Sequence, residues 1–552
     1  MHKKILLVRV PEIQQVTDDT DYRSISVTKL MVPLGLPYLA AVIRDSGRHD
    51  VQLLDLYALD HEFYVHHSHR RSQIVEKAAK RLLDVVDDYR PDIVGFSALF
   101  TFQHDLVQKL AAIVRGHAPS TRIYVGGYAT VAPELVLRDI PEADAVFLGE
   151  SEDKILRVLD SETTSRPLEG INGIAYRRDG QVVVMPREFG IRNIDDIPWP
   201  AFDMLPLETY RAIQGRGEFP FLTSRSCPFS CSYCSSQLYG GRVWRRKSPE
   251  RLLDEVGMMI DGYGMDFMWV VDEIFNVNKA HAKGFLRGML DRGYNVQWWD
   301  NNAFNSDAMD KELVDLCKAT NNVGIVISIE SGSQRVLREI MNKRVNLDHA
   351  REMINYTTSV GIPVTVNFVI GSPGETKREI EETIEFASTL TADSFVFSLA
   401  TPFPGTKYYD IAKANGMLVN GEEYILNMKY MEVSMHTGDF SSEWLKDTQY
   451  DANIRLNFFG SRLFKDDRKD LERARAKFAN VYRLHTFHAV ARLLEGYAEE
   501  QLGNLDGRDT VYATLGDLLS DAKIRDAYGR YFDWDHPAPN SYRAWLQART
   551  VH

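Results

Sequence analysis

The sequence predicts an α/β protein with two successive units of alternating strands and helices, followed by a mostly helical carboxyl-terminal part. Short runs rich in β-branched residues alternate with amphipathic helical patterns through residues 1–155, and the alternation resumes at Phe219 for about six repeats. Beyond about residue 406 the patterns are nearly all helical. Strands that alternate with helices form parallel sheets covered by helices, and a chain of 552 residues has room for two or three domains.

The first unit, residues 1–155, has the pattern of a doubly wound, flavodoxin-like (Rossmann-type) sheet. Its predicted strands are short and apolar: Ile5–Val10, Val51–Leu56, Ile93–Ser97, Ile123–Gly126 and Ala145–Leu148. Ligands of such sheets bind beyond the carboxyl ends of the strands. A linker follows over residues 156–215, with a predicted hairpin that turns at Asp179-Gly180.

The loops at the carboxyl ends of these strands contain glycines, which let a backbone approach a large ligand closely. One such loop closes the connection after the first strand, and others follow the third, fourth and fifth strands. The candidate ligand-binding residues in them are Pro33, Leu34, Gly35, Ser97, Leu99, Thr101, Gly126, Gly127, Tyr128, Gly149 and Glu150.

Three of the four cysteines, Cys227, Cys231 and Cys234, lie within eight positions. Thiolates bind soft metals, and a structural zinc site would need a fourth ligand close by, but the next histidine is His281. A [4Fe–4S] cluster normally takes four cysteines, so three would leave one iron open for a non-protein ligand. A zinc loop or a disulfide remains the alternative. Cys317 lies in an amphipathic helical stretch and is interpreted as a core residue.

Composition excludes some classes of function. The net charge of −12 argues against a nucleic-acid-binding surface, and no apolar run reaches the roughly 18–20 residues of a membrane span. The densest basic stretch, Arg242–Lys247, is interpreted as a solvated loop. The low cysteine content predicts a reducing, cytoplasmic location.

The second unit, residues 216–405, places polar residues where its predicted strands end. These strands are Phe219–Ser224, Phe267–Val271, Val296–Trp299, Val323–Ile329, Val364–Ile370 and Ser394–Leu399. The chemistry of β/α barrels is located at the carboxyl ends of the strands. The candidate site residues there are Asp272, Glu273, Ser328, Glu330, Ile370 and Gly371.

The Cys-x3-Cys-x2-Cys motif, with Tyr233 before its last cysteine, resembles that of the radical S-adenosylmethionine (SAM) superfamily. The resemblance implies a partial (β/α)6 barrel and a [4Fe–4S] cluster held by the three cysteines, with SAM on the open iron. It also implies that Asp272 and Glu273 hold the SAM amine. Tyr233 would pack over the cluster, and the remaining candidates would contact the nucleoside, with Ser328 and Glu330 at the ribose and Ile370 and Gly371 at the adenine.

The first unit resembles the cobalamin-binding domain that precedes this core in one branch of the superfamily. The stretches that carry the resemblance are Pro-Leu-Gly-Leu-Pro-Tyr-Leu-Ala-Ala, Val-Gly-Gly and Gly-Glu-Ser-Glu. The Asp-x-His-x-x-Gly motif of other cobalamin domains is absent. The resemblance therefore implies cobalamin bound without a histidine ligand, its lower face covered by the Ser97–Thr101 loop. A flavodoxin-like domain that binds nothing, or a nucleotide, is the alternative.

Together the resemblances imply a cobalamin-dependent radical SAM methyltransferase that uses methylcobalamin and a 5′-deoxyadenosyl radical. The expected substrate is an unactivated carbon of a small-molecule or peptide biosynthetic intermediate. An electron donor such as flavodoxin or ferredoxin is the expected partner. The alternatives are a radical cyclase, ring-rearranging or oxidative enzyme, a polar C-methyltransferase, and a cobalamin sensor. Residues 406–552 are expected to form a mostly helical domain.

Overall fold

The computed structural model describes residues 2–13, 30–68, 70–162, 168–300, 302–419, 421, 433–464 and 467–550. Its strands follow the predicted alternation. They are β1 (Lys4–Arg9), β2 (Asp50–Asp55), β3 (Ile93–Ala98), β4 (Arg122–Gly127), β5 (Ala145–Phe147), β6 (Ile174–Arg178), β7 (Gln181–Val184), β8 (Glu218–Phe221), β9 (Ser224–Arg225), β10 (Arg245–Arg246), β11 (Phe267–Val270), β12 (Gln297–Asp300), β13 (Ile325–Glu330), β14 (Val364–Ile370) and β15 (Ser394–Leu399).

The α-helices connect these strands or follow them. They are α1 (Gly35–Asp45), α2 (Leu56–Leu59), α3 (His61–His66), α4 (Arg71–Tyr89), α5 (His104–His117), α6 (Pro133–Asp139), α7 (Ile155–Ser161), α8 (Leu207–Gln214), α9 (Ser236–Gly240), α10 (Pro249–Tyr263), α11 (Lys279–Asp291), α12 (Lys311–Ala319), α13 (Leu347–Ser359), α14 (Lys377–Ser388), α15 (Lys407–Ala414), α16 (Ser442–Asn453), α17 (Arg468–Leu484), α18 (Ala489–Gln501), α19 (Leu505–Ser520), α20 (Ala522–Tyr528) and α21 (Pro537–Thr550). No described helix is long and apolar enough to span a bilayer.

The first sheet has the order β2-β1-β3-β4-β5-β6-β7. Its first five strands are parallel, which is the order of a flavodoxin-like sheet. Strand β1 is buried from Ile5 onward because helices cover both faces of the sheet. The predicted linker hairpin forms and adds β6 and β7 antiparallel to the edge of this sheet. Its turn has positive φ at Asp179 and Gly180, as two-residue hairpin turns require.

The second unit is an open barrel of six parallel strands. Strands β12-β11-β8 and β13-β14-β15 form two three-stranded sheets, joined by isolated bridges from Trp298 to Asn322 and from Phe304 to Ile327. Helix α10 begins as the sequence predicts, because the Ser248 hydroxyl accepts the Arg251 N–H and Pro249 occupies the first turn. The predicted partial barrel is therefore confirmed.

The carboxyl-terminal helices form a separate hydrophobic core and cover the open edge of the barrel. Tyr450, Phe458 and Tyr528 belong to this core, which confirms the predicted helical domain. A π-helical turn, Ile454–Phe459, places the Asn457 amide beside the edge strand β15. The amide accepts the Phe395 N–H at 2.7 Å and donates to the Phe395 carbonyl at 2.7 Å, so one side chain replaces a neighbouring strand.

Candidate active site

The three clustered cysteines lie on a loop that begins at a short hairpin. Strands β9 and β10 pair antiparallel, and the loop leaves β9 through Ser226, whose φ of 72° is unusual for a residue with a side chain. Cys227 is buried, Cys231 and Cys234 are partly exposed, and all three are free thiols. The loop is therefore held in a defined conformation at its first cysteine.

The thiols are close enough to influence each other's ionisation. Burial raises the pKa of the Cys227 thiol to about 12, and the neighbouring Cys234 and Cys231 add to the shift. Iron binding must therefore displace the proton of Cys227. Among the described residues no three His, Cys, Asp or Glu side chains converge on a site for one metal ion. Three cysteines would leave one iron of a [4Fe–4S] cluster open, whereas a structural zinc ion takes four ligands.

Residues after β13 fasten the cysteine loop to the barrel. The Tyr233 hydroxyl donates to Glu330 Oε1 at 2.9 Å, and Lys343 Nζ donates to the same oxygen at 2.8 Å. Asn342 Nδ2 donates to the Ser230 carbonyl at 2.9 Å. Glu330 has a φ of 79°, a strained conformation that often accompanies a functional site. The Ser328 hydroxyl accepts the Asn367 amide nearby at 3.3 Å.

The two acids after β11 face different surroundings. Asp272 is fully buried, and its carboxylate accepts the Thr223 N–H at 2.7 Å and the Thr223 and Ser224 hydroxyls at 2.6 and 2.5 Å. Burial raises the pKa of Asp272 to about 7. This geometry favours a structural role for Asp272, which anchors the residues leading into the cysteine loop. Glu273 lines an open cavity, and burial raises its pKa.

The end of β14 is closely packed. Ile370 is fully buried, and a Cβ at Gly371 would lie 2.5 Å from Leu445 of α16. The Gly371 and Ser372 N–H groups donate to Glu375 Oε2 at 2.8 and 2.9 Å. Burial raises the pKa of Glu375 to about 8, and its Oε1 has no hydrogen-bond partner among the described residues.

A cavity of about 490 Å³ separates the edge of the first sheet from the barrel. Both units contribute to its walls, as a two-cofactor enzyme would require. The predicted ligand-binding residues among its lining are Leu34, Gly35, Ser97, Leu99, Gly126, Gly127, Gly149, Glu150 and Glu273.

The cavity glycines fall into two kinds. A Cβ at Gly35 or Gly126 would meet no atom of the described residues within 4 Å, so these positions leave room for a ligand. A Cβ at Gly127 would lie 1.9 Å from the Ala98 carbonyl oxygen, and one at Gly149 would lie 2.3 Å from that of Tyr239. Gly127 and Gly149 are thus required by the fold itself, and we call the open wall at Gly35 and Gly126 the cradle.

Three predicted ligand residues of the first domain are not among the cavity lining, and of the barrel candidates only Glu273 is. Pro33 is partly exposed beside it, and Thr101 is buried at the start of a 3-10 turn. Tyr128 is buried, and its hydroxyl lies 2.6 Å from His104 Nδ1. No described residue that lines the cavity is a histidine. Leu99 is 60% exposed at the cavity rim and leaves that loop free to contact a ligand.

The interpretation of Arg242–Lys247 as a solvated loop is wrong for two of its residues. Arg245 is 7% exposed and Lys247 is 4% exposed. Arg245 contacts Glu150 of the first domain, and Lys247 contacts Glu255 and Tyr38. Charge density alone indicated a surface, and the acidic partner of Arg245, Glu150, is 95 positions away in sequence. The strand pairing of β10 with β9 is what turns this stretch inward.

Two family models match the chain. The B12 binding domain matches residues 23–159, and the Radical SAM superfamily matches residues 221–387. These matches confirm the predicted order of a cobalamin-type domain before a radical SAM core.

Similar proteins extend these matches over most of the chain. An uncharacterized methyltransferase, PH0819, from Pyrococcus horikoshii is 30% identical over 485 residues, covering 87% of this chain and 98% of the relative. The cytidylyl-2-hydroxyethylphosphonate methyltransferase of Streptomyces wedmorensis is 29% identical over 72% of this chain and 81% of its own length.

The solved structures support the fold. The cobalamin-dependent S-adenosylmethionine radical enzyme OxsB, with aqua-cobalamin and S-adenosylmethionine bound, superposes with a TM-score of 0.66 at 16% identity. The superposition covers 99% of this chain and 84% of OxsB. The arrangement of the two α/β units and the helical tail is therefore that of a known architecture, and the chain belongs to the B12-binding radical SAM family of enzymes.

Proposed function

We propose that the protein is a cobalamin-dependent radical SAM methyltransferase that methylates an unactivated carbon of a small-molecule or peptide biosynthetic intermediate. The observation that carries this proposal is the cavity with walls from both units, with Gly126 on one side and Glu273 on the other. Methyl transfer between two cofactors requires both to reach one enclosed space. The methyltransferase names of the two relatives support the same reaction class.

The bound cofactors would supply the electron that cleaves SAM, the 5′-deoxyadenosyl radical and the carrier of the methyl group. The protein's own residues would bind the cofactors, orient them and shield them from water. Cys227, Cys231 and Cys234 would hold the cluster and leave one iron open for SAM. Glu273 would face the SAM amine, since its carboxylate lies at the cavity wall.

Other residues would fix the reacting groups in place. Tyr233, Glu330 and Lys343 share hydrogen bonds that hold the cysteine loop against β13, beside the position proposed for the SAM ribose. The Ser97–Thr101 loop would cover the lower face of cobalamin with the apolar side chain of Leu99 and exclude water. Exclusion of water protects a carbon radical from side reactions.

The proposal includes a reductant and a compartment. One electron is needed to cleave SAM, and flavodoxin or ferredoxin would supply it. The proposed location is the reducing cytoplasm. There the thiols of Cys227, Cys231 and Cys234 would stay free of disulfides and could bind the cluster.

Anaerobic reconstitution tests the proposal. Protein treated with iron, sulfide and hydroxocobalamin is expected to bind one cluster and one cobalamin, seen in the ultraviolet–visible spectrum, and to form 5′-deoxyadenosine from SAM after reduction. Cys227→Ala should abolish cleavage. Cys317→Ala is the matched control, since Cys317 is a buried core thiol, and should keep cleavage.

Other results would favour the competing functions. A cluster without cobalamin would refute the assignment of the first domain. Cobalamin without SAM cleavage would favour a polar methyltransferase or a sensor. Once a substrate is found, a mass gain of one methylene supports methyl transfer, whereas loss of hydrogens supports a cyclase or an oxidative enzyme.

A further inference from the structure

The hairpin that carries the cysteine loop meets the first domain through two arginine–carboxylate pairs. Arg245 Nη1 and Nη2 donate to Glu150 Oε2 and Oε1 at 2.8 and 2.5 Å, a two-point contact. Arg225 Nη2 donates to Glu152 Oε1 at 2.8 Å, and its Nη1 lies 3.5 Å from Glu150. Glu150 and Glu152 follow β5 in the first domain, whereas Arg225 and Arg245 are on β9 and β10. We call these four residues the interdomain clamp.

The clamp connects directly to the first cysteine. Arg225 is two residues before Cys227, and Ser226 lies between them. Arg245 Nη2 donates to the Ser226 hydroxyl at 2.7 Å, and that hydroxyl donates to the Gly240 carbonyl at 2.6 Å. A displacement of Glu150 would therefore be transmitted through Arg245 and Ser226 to the residue that starts the cysteine loop.

Three glycines make the junction around the clamp close-fitting. A Cβ at Gly190 would lie 2.2 Å from Glu150 Oε2 and 2.6 Å from Arg245 Nη1. A Cβ at Gly240 would lie 2.6 Å from Ser226 Oγ, and one at Gly149 would lie 2.3 Å from the Tyr239 carbonyl oxygen. The chain segments therefore approach closely around Glu150 and Arg245, and a side chain at Gly190 would displace both.

The four clamp side chains are at most 15% exposed. Burial would raise the pKa of Glu152, but Arg225 outweighs burial and lowers it, so the pair is ionised. Removing two charges from water costs about as much as their attraction returns, so a buried ion pair contributes little net stability and is better suited to fixing a geometry. A two-point arginine–carboxylate contact adds directional specificity.

The clamp also forms part of the wall of the cavity. Glu150, Glu152 and Arg225 line it together with Gly126 on the first domain and Glu273 on the barrel. Three of the four clamp residues thus line the cavity, and Arg225 and Arg245 lie on the hairpin that carries the cysteine loop.

We propose that Glu150, Glu152, Arg225 and Arg245 are positioning residues that set the separation and orientation of the cysteine loop relative to the first-domain cradle, and so of cluster relative to cobalamin. This inference rests on the proposed function for the identity of the two cofactors. The juxtaposition of the two protein segments does not depend on it.

The first arm of the test uses the apoprotein. Hydrogen exchange of the 147–152 and 224–246 segments is compared between the wild type and Glu150→Gln, which removes one charge and keeps the side-chain shape. We expect about tenfold faster exchange in both segments, since the two would open together. Asp203→Asn is the matched control: Asp203 forms an exposed ion pair with Arg44 of the first domain, 3.1 Å apart, and should leave both segments unchanged.

The second arm uses the reconstituted protein. Magnetic dipolar coupling between cob(II)alamin and the reduced cluster is expected to give one narrow distance in the wild type and a broader or shifted distribution in Glu150→Gln, compared on samples that hold both cofactors. Arg245→Gln should have the same effect, and the double variant should be no worse than either single one.

The outcomes separate the inference from the proposed function. If hydrogen exchange or the distribution of cobalamin–cluster distances is unchanged in Glu150→Gln, the proposed role of the interdomain clamp is wrong. Additive effects of the two substitutions would also overturn it, because they would show that the residues act independently. Failure of the wild type to bind cobalamin would instead refute the proposed function, and the exchange experiment would still decide whether the clamp couples the two segments.

Discussion

The first domain and the end of barrel strand β11 contribute to one cavity, but side chains at the strand ends of the two units are used differently. In the first domain, a Cβ at Gly35 or Gly126 would meet no described protein atom within 4 Å. On the barrel, the carboxylates of Asp272, Glu330 and Glu375 accept hydrogen bonds from the chain itself. The difference shows that an acid at a strand end can be recruited to anchor a loop, whereas these two glycines leave space open.

The largest expected effect is a difference in stability between substitutions at two adjacent glycines, Gly127, which the fold requires, and Gly126, which belongs to the cradle. Gly127→Ala would force a side chain into φ +83° and within 1.9 Å of the Ala98 carbonyl, so we expect a loss of at least about 4 kcal/mol in the free energy of unfolding. Gly126→Ala should change it by less than about 1 kcal/mol but weaken cobalamin binding. Denaturant unfolding of the apoprotein and a cobalamin titration measure the two effects. Equal destabilisation by both substitutions would contradict the distinction between fold and cradle.

An intermediate effect compares the two acids after β11. Asp272→Ala would leave the Thr223 N–H and two buried hydroxyls without an acceptor, so we expect it to destabilise the protein by about 3 kcal/mol. Glu273→Ala should cost less than about 1 kcal/mol and weaken SAM binding, since Glu273 faces the cavity. Thermal unfolding and equilibrium SAM binding are the measurements. A stable Asp272→Ala protein that fails to bind SAM would reverse the two roles.

A smaller effect depends on pH. The pKa of Glu375 is about 8 in the folded protein, above its ordinary value, so its stabilising contribution is complete at low pH and is lost as pH rises through about 8. Between pH 5 and 9 the free energy of unfolding of the wild type should fall by about 4 kcal/mol more than that of Glu375→Gln, which cannot ionise.

The control for this pH effect is Glu381→Gln, the same change at an exposed position of α14. It should retain the wild-type pH dependence in unfolding experiments. A Glu375→Gln protein with the wild-type slope would show that the carboxyl group is already ionised at pH 5.

The fold followed from periodicity because each strand and helix has a clear local pattern. Six strands of the barrel and five of the first sheet were predicted within one to three residues at most ends, as for β14 and β15, whose bounds agree. The three cysteines of the motif are close together in sequence, so the motif too could be recognised from the sequence alone. The clamp was not, because Glu150 and Arg245 are 95 positions apart, and nothing local distinguishes a buried arginine from an exposed one.

The same limit explains the placement of Tyr128 and Asp272. Both follow a predicted strand, where a ligand-binding residue is expected, yet each side chain turns toward the protein interior. The direction of a side chain at a strand end depends on which partners the tertiary fold brings near, here His104 and Thr223. Sequence spacing predicts that a residue lies at the edge of the sheet, but it does not predict which way its side chain points.

The Asn457 amide that pairs with Phe395 also protects the protein from self-assembly. An uncovered edge strand presents unpaired N–H and C=O groups to any other chain and templates polymerisation. The carboxyl-terminal helices occupy that edge of β15, so a truncated enzyme that ends after the barrel would expose a strand ready to join a second copy. The helical tail is therefore a safeguard against aggregation that the catalytic core cannot lose.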